Sequence, residues 1–164
     1  MKMKKITLFL ALALMLCLLC ACGAEENDVP DVDMDTLSIA VGSAFSNPDL
    51  TDIPDSYIET MMKLTDDQYT EHFAKISSVG TNIDEYGIFK ANDAEGVKVL
   101  EKAINDYLAY RLEIWMDEYL PEELPKLQNA TVTTTGNYVM YVIADGAVCD
   151  AAQAQFDACF ETAK

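Results

Sequence analysis

Gln128 to Asp145, QNATVTTTGNYVMYVIAD, reads as two strands and the turn between them. Gln128 to Thr135 and Tyr138 to Ala144 are rich in β-branched and aromatic residues, and Gly136-Asn137 is a tight-turn pair that joins them as a hairpin. Asp145 then offers a cap for a C-terminal helix in which Cys149, Ala152, Phe156 and Phe160 recur at spacings of three and four, so that they share one apolar face.

The same order stands upstream. Ala74 to Val79 and Tyr86 to Ala91 are β-like, the loop between them opens Gly80-Thr81-Asn82, and Asp93 can cap a long helix from Ala94 to about Tyr119. Val97, Leu100, Ile104, Tyr107, Leu108 and Trp115 form its apolar stripe, and Pro121 ends it. Tyr86 and Tyr138, Asp93 and Asp145, Leu100 and Ala152, Ile104 and Phe156 correspond at one constant offset. Strand, strand, helix therefore occurs twice, which predicts an α+β fold: an antiparallel sheet of about four strands with two helices on one face. Short helices through Leu37, Ile39 and Ala44, and through Tyr57, Met61 and Leu64, should precede it, with breaks at Asn47-Pro48 and Ile53-Pro54.

Further out lies the N-terminus. Lys2, Lys4 and Lys5 precede an uncharged, Leu-rich run from Ile6 to Leu19, the order of a secretory signal, and the run is short of the roughly 20 apolar residues a membrane-spanning helix needs. It ends Leu19-Cys20-Ala21-Cys22-Gly23, which resembles a bacterial lipobox. Cys22 is thus the expected lipidation residue, residues 1–21 the signal peptide, and the mature chain a lipoprotein on the extracytoplasmic face of the cell membrane. Two acyl chains hold where one binds only marginally, each buried CH₂ contributing about 0.8 kcal/mol. Residues 22–34 are acidic and poor in large apolar side chains, so they are expected to form a flexible tether, with one domain over 35–164. Asp31, Asp33 and Asp35 alternate as in a calcium loop, but Thr36 stands where the turn glycine belongs and Gly42 where the bidentate glutamate belongs.

The chain has 28 acidic and 11 basic residues, a formal charge of −17. Three of the basic residues fall in the signal peptide, so the mature part is more acidic still. Such a balance repels phosphate backbones, and nucleic acid is excluded as an expected partner. Cys149 and Cys159 would lie about 15 Å apart along one helix, beyond the roughly 7 Å that a disulfide can bridge. They are expected to be unbridged, and with a single histidine they do not make the ligand pairs of a metal site.

Tyr69 with Ala74-Lys75-Ile76-Ser77, Asp84-Glu85 before Ile88-Phe89-Lys90-Ala91, Arg111, Tyr119 with Pro121-Glu122-Glu123, Leu127 with Asn129-Ala130, and Gly136-Asn137-Tyr138-Val139 resemble the domain of unknown function 4358. The likeness spans roughly residues 35 to 162. It implies the α+β order and a lipoprotein of low-GC Gram-positive bacteria. The family has no established activity and brings no catalytic residue, cofactor or metal with it.

The chemistry-bearing residues are few. His72 lacks a positioned partner in its own sequence neighbourhood. Arg111 falls near the apolar stripe of the long helix, where its stem packs and its head reaches water or a carboxylate, or holds an anionic ligand bidentately. Tyr107, Tyr110, Trp115 and Tyr119 make that helix aromatic-rich. The expected function is a non-enzymatic binding module for an envelope protein or a small ligand. The alternative is an envelope enzyme or enzyme subunit whose site gathers scattered carboxylates around His72.

Overall fold

Proline and glycine punctuation divides the chain into short elements, and the computed structural model describes them over residues 29–116 and 118–163. The expected signal peptide at 1–21, Cys22 and the tether as far as residue 28 lie outside the described residues. In chain order the elements are helix α1 (Met34–Gly42), strand β1 (Leu50–Asp52), a single turn α2 (Asp55–Tyr57) continuing as a π-helical turn (Ile58–Met62), β2 (Glu71–Ser77), β3 (Glu85–Lys90), α3 (Ala94–Glu113), α4 (Leu124–Gln128), β4 (Thr131–Thr135), β5 (Tyr138–Ile143) and α5 (Gly146–Thr162). Helix starts leave backbone N–H groups without partners, and aspartates supply them here. Asp33 accepts from Thr36 N–H at 3.0 Å, and Asp93 from Gly96 N–H at 2.8 Å. Asp145 occupies the cap position of α5 without making a side-chain bond.

The class is α+β. Five strands run in the order β1-β2-β3-β5-β4, every neighbouring pair antiparallel. The expectation of about four strands omits β1, three residues between Pro48 and Pro54, which is too short to leave an alternating pattern.

The expected layering is corrected. The two long helices lie on opposite faces of the sheet. Phe89, Val139, Tyr141 and Ile143 pack with Leu100, Ile104 and Tyr107 of α3 and with Ile58 and Met62. Tyr86, Ile88, Tyr138, Met140 and Val142 face the other way, onto Leu37 and Val41 of α1 and Cys149, Ala152, Phe156 and Phe160 of α5. The physical reason is in the central strands: Tyr138 to Ile143 is buried at every position, and a strand apolar on both sides needs cover on both sides. A two-fold that exchanged the adjacent antiparallel strands β3 and β5 would stand perpendicular to the sheet and keep both helices on one face. The repeated order is therefore not a symmetric pair.

The start of the domain also moves. Residues up to 34 were expected to form a free tether, yet Val32 and Met34 are each 7% exposed. The Tyr138 hydroxyl accepts from the Val32 N–H at 3.0 Å, reaches the Val32 carbonyl at 2.8 Å, and donates to the Asp31 carboxylate. Lys90 Nζ closes on the same Asp31 at 2.7 Å and on Glu71 at 3.2 Å. Gly136, at φ 58°, lies so close to Val29 that a Cβ there would sit 2.9 Å from it. Only glycine meets both the left-handed turn and that approach without strain.

Helix α3 stops at Glu113, short of the expected Tyr119. Leu112, Ile114 and Met116 are exposed and only Trp115 of that stretch packs on the core, so the chain beyond Arg111 has little of the packing that sustains a helix. Among the described residues no helix is long and apolar enough to cross a membrane.

Candidate functional site

Strand β3 begins with a carboxylate facing the α3 side. Glu85, Gly87 and Phe89 alternate onto that face, and Glu85 is completely buried. Tyr107 and Tyr141 each donate to Glu85 Oε1 at 2.7 Å, and Arg111 Nη1 donates to Oε2. Arg111 Nη1 also donates to the Tyr107 hydroxyl at 3.1 Å. Because a tyrosine has one proton and Tyr107 gives its own to Glu85, the Tyr57 hydroxyl, 3.1 Å away, must be the donor in that pair. Burial pushes the Glu85 carboxyl above its ordinary pKa, with Arg111 and the two tyrosine hydroxyls pulling the other way. Burial works against the charge on Arg111, but Glu85, Tyr107 and Tyr57 together outweigh it and hold the guanidinium above its usual value.

Gly87 makes this arrangement possible. It pairs directly with Tyr141 across β3 and β5, and a Cβ on it would lie 2.5 Å from the Tyr141 ring and 3.2 Å from the Ala74 Cβ. The ring lies over the glycine, which is what carries its hydroxyl to Glu85. Gly87→Ala is expected to cost about 1–3 kcal/mol through overpacking, read as a lowered urea midpoint. An unchanged midpoint would show that the ring can shift without losing the Glu85 bond.

Tyr107 connects this closed cluster to a surface cleft of about 700 Å³ between the π-helical turn and α3. Met61 and Met62 form one wall and Val99, Ala103, Tyr107 and Tyr110 the other, with Thr60, Lys63, Lys102 and Asp106 completing the lining. Val99 and Tyr110 are 43% and 45% exposed. The turn buries Ile58 and Met62 and ends in Lys63 at φ 58°, a left-handed conformation uncommon outside glycine, asparagine and aspartate. π-helical turns interrupt regular helices at a cost and concentrate at functional sites.

The residues singled out in the sequence come apart in space. Arg111 meets an internal carboxylate, Glu85. His72 lies on β2, stacked on Phe89 at 5.8 Å between ring centroids, edge-on to Tyr69, with Asp55 at 3.4 Å. Its strand partner is Phe89, four residues from Glu85, or about 13 Å along a strand, and the cleft contains neither His72 nor Arg111. Of the aromatic residues on α3, Tyr107 and Tyr110 line the cleft, whereas Tyr119 lies beyond the helix and donates to the Gly80 carbonyl at 2.9 Å. Asp31 and Asp33 are engaged by Lys90 and the α1 cap, and no group of three metal-ligating side chains occurs among the described residues. Cys149 and Cys159 are free thiols.

Glu85, Gly87 and Lys63 escape a reading of the sequence for sites, although one signal was present. Glu85 and Gly87 share the parity of Phe89 in an otherwise apolar strand, which aims a carboxylate at the core beside the one residue that leaves room for a ring.

The sequence profile of Domain of unknown function (DUF4358) matches residues 43–144, from the end of α1 through all five strands to the start of α5. No curated protein and no solved structure matches the chain.

Proposed function

The chain belongs to the DUF4358 family, and from that premise we propose that it is a non-enzymatic, lipid-anchored binding module on the extracytoplasmic face of a bacterial membrane, with the cleft between the π-helical turn and α3 as its binding surface. One observation carries the reading. The cleft is apolar and of the size of small-molecule and peptide-anchor sites, roughly 300–1,000 Å³, and the buried Glu85–Arg111–Tyr141 cluster fixes one of its walls through Tyr107. Preorganised walls lower the ordering cost of binding. An enzyme built on His72 would need that ring in a pocket with several acids; the ring is stacked on Phe89, edge-on to Tyr69, with one carboxylate, Asp55, at 3.4 Å.

A photoreactive phenylalanine analogue placed at Tyr110 in the intact cell tests the cleft. Adducts should form from Tyr110, and none of the same mass from the exposed Glu161 on α5. Identical adducts from both positions would remove the cleft as a binding surface. For the anchor, Cys22→Ser should abolish metabolic labelling with a fatty acid and release the chain from the membrane fraction. Continued labelling would end the assignment of Cys22.

A further inference from the structure

In a chain with 28 acidic residues against 11 basic ones, cations find carboxylates readily. Lys75, Lys90, Lys98, Lys102, Arg111 and Lys126 each lie within salt-bridge distance of an aspartate or glutamate. Among the described residues Lys63 alone of the basic side chains has no such partner. Its ammonium donates to the Thr60 carbonyl at 2.5 Å, and the residue lines the apolar cleft.

Lys63 owes that place to backbone geometry. The π-helical turn delivers it at φ 58°, and non-glycine residues hold such conformations at a cost that is met where a site requires them. The cleft thus has a long apolar wall of Met61, Val99, Ala103 and Tyr110; of its charged lining residues, Lys102 and Asp106 pair with each other, and Lys63 is within salt-bridge distance of no described carboxylate. On a strongly acidic surface an anion finds few such places.

Resting on the reading of this cleft as a binding surface, we infer that its ligand is an acyl carboxylate: an unbranched apolar chain lying along Met61, Val99 and Tyr110, with its carboxylate against Lys63. The chain contributes affinity by leaving water. The carboxylate sets direction, and an ion pair at a solvent-exposed rim is worth up to about 1 kcal/mol, or about fivefold in affinity.

The full-length chain in lipid nanodiscs, photolabelled with a diazirine derivative of dodecanoate and with the matching derivative of dodecanol, tests this. Labelled peptides are mapped by mass spectrometry. The carboxylate probe should label the peptides holding Thr60–Lys63 and Val99–Tyr110, and unlabelled dodecanoate should compete with it. Lys63→Gln should lower that labelling about fivefold and leave the alcohol probe unchanged, and Val99→Glu should abolish labelling by both. Equal labelling by the two probes with no effect of Lys63→Gln would overturn the carboxylate assignment. Labelling spread over the chain and indifferent to Val99→Glu would overturn the acyl assignment altogether. The Tyr110 adducts in cells are a separate measurement: their loss would end the binding-surface reading, and their persistence without acyl labelling would end only the ligand.

Discussion

Arg111→Met is expected to lower stability by about 3–5 kcal/mol at pH 7, the usual cost of stranding one partner of a buried ion pair. Glu85 has no exposed surface, and the Arg111 side chain is only 14% exposed, so water cannot replace the lost partner. The pH dependence has a definite sign. Burial already raises the Glu85 carboxyl above its ordinary value, and losing Arg111 raises it further. A carboxyl raised in the folded state favours folding below its unfolded pKa, and that contribution is lost as pH rises through the folded value. The loss caused by Arg111→Met should therefore be smaller at pH 5 than at pH 7. Adding Glu85→Gln should restore much of the stability at pH 7, because the amide oxygen still accepts from Tyr107 and Tyr141 while the stranded charge is gone. Urea unfolding at the two pH values measures both effects. An equal loss at pH 5 and pH 7, unrelieved by Glu85→Gln, would mean that Arg111 stabilises through its stem alone.

A chain beginning at Asp35 is expected to be about 2–4 kcal/mol less stable than one beginning at Val29, even after the entropy regained by releasing those residues. The shorter chain lacks the buried side chains of Val32 and Met34, the Asp33 cap on α1, and the backbone that satisfies the Tyr138 hydroxyl. For a domain of this size that is on the order of a 10 °C fall in melting temperature. Met34→Ala in the longer chain should account for part of it by leaving a cavity beside Leu37. Coincident melts of the two chains would show that residues 29–34 rest on the fold without supporting it.

Much of the architecture was legible. The stripes through Val97, Leu100, Ile104 and Tyr107 and through Cys149, Ala152, Phe156 and Phe160 are the buried faces of α3 and α5, because a period of three and four survives whatever the helix packs on. The side of the sheet each helix covers was not legible from those stripes. It was written instead in Tyr138 to Ala144, where an unbroken apolar run marks a strand buried on both faces. The site lay deeper. Arg111 drew attention as a cation on an apolar stripe, but its partner Glu85 comes from a strand that contacts it only through the tertiary fold. Lys63 carries no sequence signal, since its conformation depends on a π-helical turn that periodicity does not reveal. The acidic run around Val32 and Met34 was read from its average composition, and two buried side chains with one cap are enough to order a short segment.

The strap formed by Val29 to Val32 also bears on the proposed anchor, because it sets how far the domain could stand from a bilayer. Under the proposed anchoring at Cys22, a tether free as far as Asp35 would let the body rise about 45 Å, at no more than about 3.5 Å per residue. Held by Gly136 at Val29 and by Lys90 and Tyr138 at Asp31 and Val32, it would allow about 25 Å, less than the roughly 30 Å length of α3 itself. The strap packs on the α1 and α5 face, and the cleft opens on the other. Under the proposed anchoring the domain would work within a molecular diameter of the lipid, where compounds that partition into a membrane are most concentrated.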